Sequence, residues 1–153
     1  MRQGVMKVLG VILLLLVWIF FIWKDRNEQF EELHKDLEKL TPSESAWVYS
    51  NIRLAKNPEK ALSKVIITEE LKNCLLQATV NNNPGDFDRE MIIHTEMSNV
   101  FLRFRFLNGE LQYFYRSYVD DEFTLLRSSG HVYNSPCSLR DWPVVEELYR
   151  LEK

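Results

Sequence analysis

Only two cysteines, five glycines and five prolines occur among the 153 residues. The first scarcity excludes a small scaffold dense in disulfides, and the other two exclude collagen-like or low-complexity chains. The chain also lacks the short signatures of common chemistries: no G-x-S-x-G, phosphate loop, G-x-G-x-x-G, H-E-x-x-H or C-x-x-C is present. Basic charge is thin as well. With Arg2, Lys7 and Lys24 set aside, the 19 basic residues fall to 16 against 22 acidic ones, a balance of −6 from Asp25 onward. Such a balance argues against nucleic-acid binding, which needs clustered cations against phosphates.

What is present is a long apolar run. Residues 8–23, VLGVILLLLVWIFFIW, hold no charge and are bracketed by Lys7 and Lys24. Thirteen of the sixteen are Val, Leu, Ile or Phe, worth roughly −4 to −8 kcal/mol for insertion into lipid. As a helix the run covers about 24 Å of a hydrocarbon core about 30 Å thick. Val5, Met6 and the snorkelling stems of Lys7 and Lys24 extend its reach, and Trp18 and Trp23 suit the headgroup boundary. Ile22, Trp23, Lys24, Asp25 and Arg26 follow in place of the small residues of a signal-peptidase site, so an uncleaved single-pass anchor is expected.

The organisation expected is therefore a short tail at 1–7, a transmembrane helix at 8–23, an amphipathic stalk helix at 24–40 and one small α+β domain at 41–153. Lys24, Arg26, Lys35 and Lys39 after the span outnumber Arg2 and Lys7 before it, which favours a cytoplasmic domain by charge count. The short tail and the export-signal layout favour the opposite side, as do the acidic residues diluting the downstream flank. We expect the domain outside the cytoplasm. Cys74 and Cys137 then form an even pair that becomes a disulfide if their Cα atoms approach closely enough, and remains two thiols if they do not.

In the stalk, Phe30, Leu33, Leu37 and Leu40 recur at helical spacing, with Glu31 four residues before Lys35. This stripe either packs on its own domain or makes a homodimer seam. Thr41-Pro42-Ser43-Glu44 has the form of a capping box and predicts a helix carrying Ala46, Trp47, Val48, Ile52 and Leu54 to about Lys56. Asn57-Pro58 opens a shorter helix through Leu62, and Thr68-Glu69-Glu70 opens another with Leu71, Cys74, Leu75 and Ala78 on one face. Residues 81–88, NNNPGDFD, read as a solvated connector. They lack the ligand order of a calcium loop, and no metal or cofactor is expected.

The second half reads as strands. Asn108-Gly109 is the preferred pair for a type I′ hairpin, which sets Phe106 opposite Leu111, Phe104 opposite Tyr113 and Leu102 opposite Tyr115. A turn at Ser98-Asn99 would add Met91, Ile93, Thr95 and Met97 opposite Phe106, Phe104, Leu102 and Val100. A turn at Asp120-Asp121 leads to a fourth strand near Phe123 to Arg127, completing a four-stranded antiparallel meander. A last helix starts at Asp141-Trp142-Pro143 and covers the sheet with Val145 and Leu148.

On this register the other side of the sheet carries Phe101, Arg103, Arg105, Phe114 and Arg116, a mixture of aromatics and guanidinium groups suited to protein recognition. Asp120, Asp121 and Glu122 read as solvated turn charges, and no catalytic residue is assigned. The function expected is a non-enzymatic, membrane-anchored interaction module that contributes to a membrane or envelope assembly by binding another membrane-associated protein. Two alternatives are an inhibitor or exclusion protein acting on a membrane component, and a small enzyme pairing Cys137 with His94 or His131.

Overall fold

The structure is a computed structural model that describes residues 2–55, 57–119, 125–128 and 130–150, with only the backbone for 2–7 and 125–128. One continuous helix, α1 (Arg2–Lys39), opens the chain. Tail, apolar run and amphipathic segment are thus a single rod. From Val8 to Trp23 its side chains lie exposed, and the helix is long and apolar enough to cross a membrane. Such a helix is compatible with a single-pass anchor or a signal sequence.

The character of α1 changes after Asp25. Leu33, Leu37 and Leu40 are buried in the domain's main core, with Phe30 packed at its margin. Each fully buried leucine contributes roughly 1.5–3 kcal/mol. Of the two roles expected for the stripe, the structure shows packing on the chain's own domain. The end of α1 is closed by Lys72, whose Nζ donates to the carbonyls of Glu38 (2.9 Å) and Leu40 (2.7 Å). A cation at a helix C-terminus satisfies orphan acceptors and complements the dipole.

The helix expected from Pro42 to Lys56 is not formed. Thr41 to Glu44 make a tight turn closed by the Glu44 N–H on the Thr41 carbonyl (3.0 Å), with Pro42 second and Ser43 at φ +72°. Proline followed by a positive φ is the pattern of a type II turn. The strand β1 (Ser45–Tyr49) follows. Its Ala46 and Val48 face the main core while Trp47 and Tyr49 face away, a period of two that overrides the helical start signal. Two 3-10 turns, Ile52–Leu54 and Pro58–Lys60, lead to β2 (Ser63–Ile66), a strand the sequence reading did not foresee. Asn57 caps the second turn through a 2.9 Å bond from the Glu59 N–H.

The helix α2 (Glu69–Leu76) is capped as expected by Thr68, whose Oγ1 accepts from the Leu71 N–H at 3.1 Å. The strands β3 (Thr79–Asn81), β4 (Arg89–Thr95), β5 (Phe101–Leu107), β6 (Glu110–Val119), β7 (Leu125–Ser128) and β8 (Val132–Asn134) precede α3 (Pro143–Arg150). All pairings are antiparallel. The spatial order is β2-β1-β4-β5-β6-β8-β3, and β7 pairs with β6 off this path. The meander β4-β5-β6-β7 lies inside this larger sheet and does not match the expected one in register.

Two differences in register matter. Asn108 and Gly109 both have positive φ (+50° and +82°), as a type I′ turn requires, and Phe106 pairs with Leu111 as expected. A bulge then intervenes. Gln112 is the extra residue on β6, so Arg105 pairs with Tyr113, Phe104 with Phe114 and Arg103 with Tyr115. One inserted residue transfers every later side chain of β6 to the other face. On the opposite edge of β5, Met91 pairs with Phe104 and Ile93 with Leu102, two places from the expected register. An even slip keeps the faces, so Met91, Ile93 and Thr95 still point inward.

The inner face of the sheet packs on α1, α2 and α3 around Phe104, Phe106, Phe114 and Tyr133. The rings of Phe104 and Phe114 stack at 5.6 Å, and Tyr133 lies 5.8 Å from Phe114. Val144, Val145 and Leu148 of α3 join the same core. Cys74 and Cys137 are joined as a disulfide with Cα atoms 5.5 Å apart, tying α2 to the loop before α3.

Candidate recognition surface on the outer sheet face

The outer face takes alternate residues of β1, β2, β4, β5 and β6. Part of it is roofed by the two 3-10 turns, where Ile52, Leu54 and Ala61 cover a small second core of Tyr49, Ala55, Ile92 and Phe101. The remainder is a field of aromatic rings and cations. At its centre Glu90 is shared by two arginines. Arg103 donates to Oε1 from Nε (3.1 Å) and Nη2 (2.5 Å), while Arg105 pairs with Oε2. Tyr115 OH donates to Oε2 at 3.0 Å and accepts from Arg105 Nε at 3.1 Å. Arg103, Arg105 and Glu90 are only 13–16% exposed.

This arrangement has a chemical consequence. One carboxylate thereby bridges two guanidinium groups in a largely buried setting. Burial, reinforced by the Glu90 carboxylate, pushes the Tyr115 phenol above its usual range despite the bond from Arg105. The phenol therefore stays protonated and keeps donating. The guanidinium planes lie over rings: Arg105 is 3.8 Å from the centre of Phe87, and Arg103 is 5.0 Å from that of Tyr115. Such stacking holds the planar heads in fixed orientations.

A second row runs toward the β2 edge. Lys64 sits 4.5 Å over the Trp47 ring and 3.0 Å from Glu96. His94 stacks on Phe101 at 3.9 Å with an interplanar angle of 11°, and its Nε2 lies 3.0 Å from Asn99 Oδ1. Burial holds the imidazole below its ordinary pKa, against the opposing effects of Asn99 and Glu96. Ile66 and Phe87 are among the exposed large apolar side chains at the margins.

Of the five residues expected on one surface, Phe101, Arg103 and Arg105 share the outer face. Phe114 and Arg116 do not. The Gln112 bulge turns Phe114 into the main core, where it is fully buried, and sends Arg116 toward α1, 2.5 Å from Asp36 and 3.4 Å from Glu32. Tyr115 and Tyr113 take their places outside. Glu90 and His94 were also missed, because their role depends on the β4–β5 register. The run Tyr113-Phe114-Tyr115 is apolar throughout and gives no period by which a bulge can be read.

The disulfide lines a separate cleft of about 360 Å³ between α2 and the loop before α3. With its sulfur bonded to Cys74, Cys137 offers no thiol nucleophile, and neither His94 nor His131 lines that cleft. Asp120, Asp121 and Glu122 lie outside the described residues. No family model, curated protein or solved structure matches the chain.

Proposed function

We propose that the protein is a non-enzymatic, single-pass membrane-anchored interaction module whose domain lies outside the cytoplasm and binds another membrane-associated protein. The observation that carries this reading is the division of α1. Its first part is apolar and buried by nothing among the described residues, while its second part supplies Leu33 and Leu37 to the core, with Leu40 just past its end. A soluble domain gains nothing from sixteen exposed apolar residues. The Cys74–Cys137 bond supports an oxidising compartment, where such bonds persist. For the partner, the outer face offers aromatics and arginines together with the exposed Ile66 and Phe87, a composition enriched in protein interfaces.

The test is photo-crosslinking in the native membrane. A photoreactive residue at Trp47, Ile66 or Phe87 is expected to give one discrete protein adduct, and the same probe at Gln77 or Glu146, on the helical side, to give none. An identical adduct pattern from both sets, or no adduct from the outer set, sinks the surface assignment.

A further inference from the structure

The domain grips α1 almost as soon as the apolar run ends at Trp23. The Gly130 N–H donates to Gln29 Oε1 at 2.8 Å, Tyr133 OH donates to the Gln29 carbonyl at 3.4 Å, and His131 Nε2 lies 4.0 Å from Asp25 Oδ2. The helix is unbroken across this interval, so no linker separates span from domain. At the helical rise, Asp25 and Gln29 stand about 3 and 9 Å beyond Trp23 along the axis. The headgroup layer outside the hydrocarbon is about 5–8 Å deep on each side. A corner of the fold tied to Asp25 and Gln29 therefore overlaps that layer in height.

Tilt alters this little. A helix inclined by about 20° shifts a point about 10 Å off its axis by only about 3 Å along the normal. The side chains around the corner also suit the setting: Lys24 and Glu28 pair at 3.5 Å while both remain more than half exposed, and Asp25 is 64% exposed. A mixed, well-solvated set of charges matches a layer of phosphates, amines and water. At the other end of the buried segment, α1 ends at Lys39, just before the turn that carries the Glu44 clamp on Met97 and Ser98, roughly 15 to 21 Å farther from the membrane by the rise of the helix from Gln29 or Asp25.

We propose that the domain is seated directly on the bilayer, with the corner preceding β8 at Gly130 and His131 lying in the phospholipid headgroup layer. The proposal rests on α1 spanning the membrane, as read above. The partner of this surface is the lipid headgroups themselves, and the seating fixes the height and tilt at which the outer sheet face meets a neighbour.

The experiment uses the full chain, ¹⁵N-labelled, in phospholipid nanodiscs with and without a headgroup-chelated gadolinium lipid. The amides of Gly130 and His131 are expected to lose intensity several-fold, as the Asp25 amide does, while Met97 and Ser98 keep theirs. Equal retention at Gly130 and Ser98 in membrane-integrated protein would overturn the seating alone. Release of the chain from membranes by alkaline carbonate would overturn the anchor and this inference with it.

Discussion

Glu44 is 3% exposed and is paired with no cation among the described residues. Its charge is held instead by four donors: the Thr41 N–H (2.7 Å) and Ser98 Oγ (2.8 Å) on Oε1, and the Met97 and Ser98 N–H groups (3.1 Å each) on Oε2. Burial opposes ionisation, but these bonds outweigh it and hold the carboxyl below its ordinary value. The bonds tie the turn after α1 to the β4–β5 turn. Glu44→Gln keeps the length but aims an amide N–H at groups that are themselves donors. Since a bond to a charged group contributes about 1.5–3 kcal/mol, the expected loss is about 2–4 kcal/mol at neutral pH after partial relaxation.

The pH dependence follows from the sign of the shift. A carboxyl with a lowered folded value stabilises the fold fully above its unfolded value, about 4.3 for glutamate, and that contribution vanishes as pH falls through the folded value. The gap between wild type and Glu44→Gln should therefore be widest above about pH 5 and close toward acid. Urea titrations of the full chain in mild detergent can measure it, followed by near-ultraviolet circular dichroism, to which Trp47 and Trp142 contribute from the domain. Parallel stability curves for the two proteins from pH 7 to 3 would refute the clamp.

Leu37→Ala, which removes a fully buried side chain from α1, should cost about 2–5 kcal/mol in the same titration without affecting membrane retention. Reduction, or Cys74→Ser, opens a loop of 63 residues and should lower stability by up to about 4 kcal/mol, seen as a reduced midpoint and a mobility shift on non-reducing gels. Glu90→Gln should lower the Tyr115 titration midpoint by removing the nearby carboxylate, measured as phenolate absorbance against a Tyr115→Phe control. His94 is held below its ordinary value, so stability falls as pH drops through the usual histidine range, about 6.5. His94→Phe should flatten the stability curve between pH 7 and 5.

The apolar run, the α2 cap at Thr68, the Asn108-Gly109 turn and the start of α3 were all legible in the sequence, because each is a local signal with one physical meaning. Thr41 to Glu44 was not. Glu44 does reach back to the Thr41 N–H as a capping box demands, but Ser43 adopts a positive φ and the chain turns into β1. The same side chain satisfies the same donor in a turn and in a helix start, so the motif alone does not choose between them. The outer surface was half legible for a related reason: Arg103 and Arg105 follow from alternation along β5, whereas the exchange of Phe114 for Tyr115 hangs on one bulged residue at Gln112. The Arg103–Glu90–Arg105 cluster needed the β4–β5 register, which a turn two residues longer than expected had displaced.

The passage of α1 flat along the inner face, from Gln29 to Lys39, bears on how anchored copies could associate. For an anchored domain this packing stands the sheet upright on the membrane, with its normal lying in the membrane plane. Among the described residues β2 forms one edge of the sheet, and such an edge would ordinarily invite pairing with a second chain. Joining two β2 strands antiparallel into one sheet needs a two-fold axis perpendicular to that sheet. Copies rooted on the same side of one bilayer can share only an axis along its normal. An anchor of this kind would bar that edge-to-edge pairing by symmetry.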